Sequence, residues 1–296
     1  MKVKESGSKI ISEWGLLKSN NYAFYASFFR LFICFFLIKD VILNWNFNAV
    51  LFKGESFLSV PNSRFSSLLG VSPSFFTDNF NFLYAVYISL IILFFFGIGK
   101  RVTLLILYIF YVIISNLITL TSDYGDSFMQ IILFYMIFID SFNYFSINKT
   151  KKSDALNNIV SNLAGLSICI HVCLIYFISV LFKINTESWF NGTATYYALS
   201  LERFTGTNFN SVLANNGFFV TLSTYGTVFL ELFYPVLVWF KSTKYVVIVM
   251  AVLLHLSIGI LMMLYDFQLL FILVQGFFIP NTKWILIHKY LSLIHI

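Results

Sequence analysis

Residues 158–201 read NIVSNLAGLSICIHVCLIYFISVLFKINTESWFNGTATYYALSL. Up to Phe182 the stretch is apolar enough for a membrane-spanning helix, and then a lysine, Lys183, arrives at its end. A loop with Trp189, Asn191 and Gly192 follows, and the tyrosine pair Tyr196 and Tyr197 closes it. An apolar run of about 20 residues or more crosses the hydrocarbon core of a bilayer. A lysine at the rim of such a helix has two readings. It is an anchor whose ammonium snorkels to the headgroups, or it is a reactive amine under an aromatic roof. Steps of three and four residues put Cys169, Cys173, Tyr176, Ser179 and Lys183 on one face, as an outward-opening polar cleft requires. His171 points about 120° away and lies roughly 18 Å down the helix, too far to partner Lys183.

Working outward, the whole chain has the same character. Of 296 residues, 59% are hydrophobic and 11% charged. A soluble domain carries about 25% charged residues, so this composition excludes an ordinary water-facing surface. The expected fold is all-α: a polytopic transmembrane helix bundle of about eight spans. The boundaries expected are 22–45, 80–98, 102–121, 127–145, 159–183, 218–240, 245–264 and 267–280, the last short and able to extend toward Trp284. Residues 1–20 and 284–296 are expected as cytoplasmic tails, with no removable signal peptide.

Of the 19 basic residues, thirteen fall on the side of the N-terminal tail. They are Lys2, Lys4, Lys9, Lys18, Lys100, Arg101, Lys149, Lys151, Lys152, Lys241, Lys244, Lys283 and Lys289. Lys53, Arg64 and Arg203 fall on the other side, and Arg30, Lys39 and Lys183 lie within or at the edge of spans. This bias predicts a multi-pass protein of the cell membrane with both termini cytoplasmic and the loop after Lys183 facing outward. It also accounts for the net charge of +6, so no nucleic-acid partner is implied. The partner expected first is the lipid bilayer.

Two charges stand near mid-depth of their spans. Arg30 lies roughly 12 Å into the first, and Thr224, Thr227, Glu231 and Tyr234 line up at helical spacing on the sixth, with Pro235 just after. An unpaired charge there costs about 2.5–3.5 kcal/mol on insertion scales, so a structural Arg30–Glu231 intramembrane pair is expected, with a proton relay as the alternative. His255 stands mid-span on the seventh helix with Gly259 one turn on. Cys34, Cys169 and Cys173 all lie inside spans, where inert thiols are the expected state; neither a disulfide framework nor a metal site is predicted. A phosphate-binding glycine loop, H-E-x-x-H and G-x-S-x-G are all missing, which removes the nucleotide-driven and serine-hydrolase classes.

The stretch from Tyr176 to Tyr197 resembles the signature of the HTTM superfamily, the membrane domain shared with vitamin K-dependent gamma-carboxylase. That signature is Y-F-x-x-G-x-x-K-hydrophobic, followed by Trp-x-x-Gly and aromatic positions. Its counterparts are Tyr176, Phe177, Lys183, Ile184, Trp189, Gly192 and Tyr197. Arg30, the DYGDSFMQIILFYMIF element, Glu231 with Pro235, and the LLH containing His255 match in order. Val180 and Leu181 stand where the family has its glycine, Phe182 replaces a second lysine, and the carboxylase's large extramembrane domain has no counterpart. In length the chain is similar to the sporulation-delaying-protein SdpB family, bacterial membrane proteins that help mature secreted antimicrobial peptides.

The resemblance implies a maturation factor acting on an exported peptide, with a small partner subunit and a quinone or hydroquinone among the ligands to consider. It implies carboxylase/epoxidase-like chemistry with Lys183 as base, in the amine form that an apolar setting favours. Tyr176 and His255 complete the expected catalytic set. Trp189, Asn191, Gly192, Tyr196 and Tyr197 form the expected pocket. A non-catalytic scaffold or immunity subunit is the alternative, in which Lys183, Arg30 and Glu231 are structural.

Overall fold

The computed structural model describes residues 19–47, 73–117, 124–149 and 154–294, and these are helical without strands. The tail through Lys18, the loop with Lys53 and Arg64, and Lys151 and Lys152 lie outside the described residues. The chain forms two compact units, Met1–Gly165 with Pro280–Ile296, and Leu166–Ile279.

The first unit contains α1 (Ala23–Asn44), the short α2 (Pro73–Asp78), α3 (Phe80–Phe96), α4 (Lys100–Leu117), α5 (Tyr124–Phe138) and, from the C-terminus, α13 (Asn281–Ile294). Helix α1 packs on α3, α3 on α4, α4 on α5, and α13 on α1. The N-terminus of α1 leaves backbone donors that no helical carbonyl can serve. Side chains take them: Asn20 Oδ1 accepts from Tyr22 N at 3.0 Å and Asn281 Oδ1 from Phe24 N at 2.9 Å. Trp284 stacks on Tyr25 at 4.7 Å, and the His288 ring meets Phe24 edge-on at 5.2 Å. The tail expected from residue 284 onward is therefore part of a helix laid against α1.

The fourth span departs from expectation. Helix α5 stops at Phe138 instead of running to Phe145, and residues 139–149 are irregular yet partly buried. A buried backbone must satisfy its polar groups somewhere, and here side chains do it. Ser161 Oγ accepts from Asp140 N at 3.0 Å, Asp140 Oδ1 from Phe142 N at 3.2 Å, and Ser27 Oγ from Tyr144 N at 3.3 Å. Arg30, fully buried on α1, donates to Phe94 O at 3.3 Å and to Tyr144 O and Phe145 O at 3.4 and 2.5 Å. Its guanidinium also lies 5.2 Å from the Phe142 ring centre. Gly97 ends α3 at φ +70°, and a Cβ there would overlap Arg30 and Ser146.

Helix α6 (Ala155–Ile184) runs through both units. The second unit continues with α7 (Glu187–Phe190), α8 (Ala194–Ser200), α9 (Phe209–Ala214), α10 (Gly217–Leu237), α11 (Lys244–Met262), α12 (Tyr265–Val274) and a 3-10 turn, Gln275–Phe278. Helix α11 packs on α12, and α8 and α9 pack on α10. The loop after Lys183 is thus a set of short helices.

Among the described residues, three helices, α6, α10 and α11, are long and apolar enough on their own to cross a membrane; a broken pair, Tyr265–Phe278 with Asn281–Ser292, passes together and would make four. Helix α1 has the length, but Arg30, Lys39 and Asp40 fall in every 18-residue window of it. Helices α3 and α5 have only 17 and 15 residues. Leu174, Phe177, Phe182, Phe218, Phe229, Phe233, Val249 and Leu253 are exposed large apolar side chains on the three candidates. Helices apolar on their outer as well as inner faces need an apolar solvent.

Candidate functional site

Lys183 stands in the last turn of α6, where the partial negative charge of the helix end favours a cation. Its Nζ forms an ion pair with Glu231 Oε1 on α10 and lies 4.7 Å from the Trp189 ring centre on α7. Glu231 lies past the midpoint of α10, so the end of α6 meets the C-terminal half of that helix. Its N-terminal half is flanked by the short helices. Thr195 on α8 donates its backbone N–H to Thr224 Oγ1 at 3.1 Å, and Tyr225 donates its hydroxyl to Phe190 O at 2.8 Å. The Lys183 side chain is 17% exposed. A lysine so enclosed does not snorkel, and the ion pair replaces the headgroup contact of the anchor reading. Glu231 Oε2 is buried and meets no hydrogen-bond donor among the described residues.

A directional hydrogen-bond chain lies beside this pair in the same unit. Tyr234 donates to Gln275 Oε1, and Gln275 Nε2 donates to the Tyr176 hydroxyl at 3.3 Å. The Tyr176 proton is then directed to His255 Nε2 at 2.7 Å, which leaves Nδ1 to carry the ring proton and donate to Gln268 Oε1. Gln268 and Gln275 can accept and donate only through distinct amide atoms, so the chain fixes one imidazole tautomer. Phe271 packs 4.9 Å from the His255 ring, and Tyr234 lies 4.5 Å from Tyr176.

No protein-family model, curated protein or solved structure matches this chain.

The expected residues are therefore sorted by geometry alone. Lys183 and Trp189 are brought together, and Tyr176 and His255 are bonded to each other. Asn191 follows α7 and its amide lies 3.4 Å from Glu187 Oε1; Gly192, at φ +73°, packs under the Tyr225 ring. Both shape the turn. Tyr196 and Tyr197 pair edge-to-face at 5.4 Å and are exposed, so the roof over Lys183 is one ring instead of three. The Arg30–Glu231 pair expected from depth is replaced by two separate solutions: Arg30 on backbone carbonyls, Glu231 on Lys183. Gln268 and Gln275 are not among the expected site residues, and Tyr234 is expected only as a member of the polar line on the sixth span. Their signal was a polar residue inside an apolar run, at Gln268 and Gln275 in particular.

Proposed function

We propose that this chain is an integral membrane protein of about eight spans that matures an exported peptide at an outward-facing site around Lys183. The observation that carries the reading is the Lys183–Glu231 ion pair beneath Trp189, enclosed by α6, α7 and α10. Base chemistry at a lysine needs its amine lone pair. Glu231 is placed to take the proton that Lys183 must shed, so the two act as one proton-holding unit. Glu231 Oε2 is a buried acceptor with no donor, and a substrate hydroxyl or amide N–H satisfies it. The hydroxyl of a hydroquinone meets the same need, with Trp189 offering a ring face; such a cofactor supplies reducing equivalents when bound. Tyr176 and His255 keep the neighbouring core polar and oriented.

The second reading is the scaffold or immunity subunit. Its support is that Lys183 and Glu231 neutralise each other, as a structural pin between α6 and α10 requires. Swapping the two residues separates the readings. A pin tolerates Lys183→Glu with Glu231→Lys, because the attraction is retained; a proton-transfer site does not, because the amine has moved to the other helix.

The test is mass spectrometry of peptides released by cells that carry wild-type protein, Lys183→Met, Lys183→Arg or the swap. A mass change that depends on wild type and is lost in all three variants, at equal membrane abundance, supports maturation. Activity in Lys183→Arg shows that charge suffices, since guanidinium does not give up its proton, and returns the pair to a structural role.

A further inference from the structure

A groove of about 570 Å³ opens in the first unit, independent of the Lys183 site. Leu31, two turns into α1, and Phe95 and Phe96, in the last apolar turn of α3, are in its lining. Lys149 and His288 line it too, and Ile147 N donates to Phe96 O at 2.9 Å, which ties the segment leading to Lys149 to the end of α3. Lys149 opens the basic linker and is exposed; His288 is on α13, a helix that also carries Lys283 and Lys289. The groove therefore combines aromatic and basic side chains in one lining.

Its wall is built, not incidental. Arg30 holds the carbonyls of Tyr144 and Phe145, and Phe145 takes a positive φ of 52°. The Phe145 ring then lies 5.9 Å from His288. The irregular segment is thus fixed with Tyr144, Phe145 and Lys149 all lining the groove.

An occupant must match both kinds of lining side chain. Free phosphate would leave the aromatic side chains bare to water, and an uncharged lipid would leave Lys149 without a counter-charge. The geometry points to an anionic glycerophospholipid, with an acyl chain against Phe95 and Phe96 and its phosphate at Lys149 and His288. Lys100 and Arg101 of this unit lie with Lys149 on the side that positive-charge bias assigns to the anionic cytoplasmic leaflet.

Trp284 reports on the site, because it lies one turn from His288 on α13. The full chain is prepared with its other tryptophans, Trp14, Trp45, Trp189 and Trp239, changed to Phe. It is placed in phosphatidylcholine vesicles doped with brominated phosphatidylglycerol or brominated phosphatidylcholine. Quenching by the anionic lipid is expected at about fivefold lower mole fraction, the factor that one lysine near an anionic surface contributes. Lys149→Glu with His288→Ala, both changes at the rim, removes the difference while far-ultraviolet circular dichroism stays unchanged. Equal quenching by the two lipids in the unchanged rim overturns the proposal, as does a difference that survives in the Lys149→Glu variant. Quenching by neither lipid, with disulfide cross-links between copies carrying Ile147→Cys, assigns the groove to a second copy and also overturns it.

Discussion

His255 shows what a single buried residue contributes. Its ring bridges α11 to α6 through Tyr176 and to α12 through Gln268, so three helices meet at one imidazole. A 15N spectrum of histidine-labelled protein is expected to show His255 protonated at Nδ1 only; a tautomer mixture would contradict the chain of donors. Gln268→Leu leaves that N–H without an acceptor and is expected to cost about 1–3 kcal/mol, read as a lower unfolding midpoint in detergent. Sequence reading reached His255, Tyr176 and Lys183 individually, because polar residues in apolar runs are conspicuous. It did not reach Lys183–Glu231. One sequence gives depth along each helix but not which helices are neighbours, and Arg30 shared a depth with Glu231 without sharing its surroundings.

Among the elements, helix existence was legible and helix ends were less so. The starts of α1, α3, α6, α10 and α11 fall close to the expected positions because apolar runs begin at polar punctuation. The end of α5 does not, because Ile139, Phe142 and Phe145 continue the apolar composition. The helix stops there because Arg30, Ser27 and Ser161 supply the hydrogen bonds that a ladder would have made. That arrangement depends on close approach at Gly97, where φ is +70° and a Cβ would overlap Arg30. Gly97→Ala is expected to destabilise the protein by about 1–3 kcal/mol, measured by thermal unfolding. Gly217→Ala, with nothing within 4 Å of its Cβ position, is the control and is expected to be neutral or slightly stabilising. Equal effects at the two glycines would refute the close-approach account.

At the scale of the molecule, the described residues are helical with many apolar side chains exposed, and composition alone anticipated both. Eight spans and their direction rest on charge bias, because α3 and α5 are short and α1 is charged. Cysteine replacement tests the direction within one unit. A probe at Ser211, beside α10's start, is expected to react with an impermeant thiol reagent added outside cells. A probe at Ser242, between α10 and α11, is expected to react only after the membrane is opened. The reverse pattern would invert the topology and put Lys183 on the cytoplasmic side.

The segment after Lys183 is tied down at three places. Phe190 O accepts from Tyr225, Thr195 bonds Thr224, and Gly206 N and Asn210 Nδ2 both donate to Leu261 O, at 2.8 and 2.7 Å. A Cβ on Gly206 would meet the carbonyls of Ile260 and Leu261, so the chain there sits directly on the end of α11. A cover fastened at both flanks and in its middle does not swing. Under the proposed function, a substrate that partitions into the bilayer reaches Lys183 sideways, from among the acyl chains, and needs no movement of this cover. For such a site the quantity that governs occupancy is the mole fraction of substrate in the bilayer. Adding inert lipid at constant substrate dilutes it, even though nothing in the aqueous phase has changed.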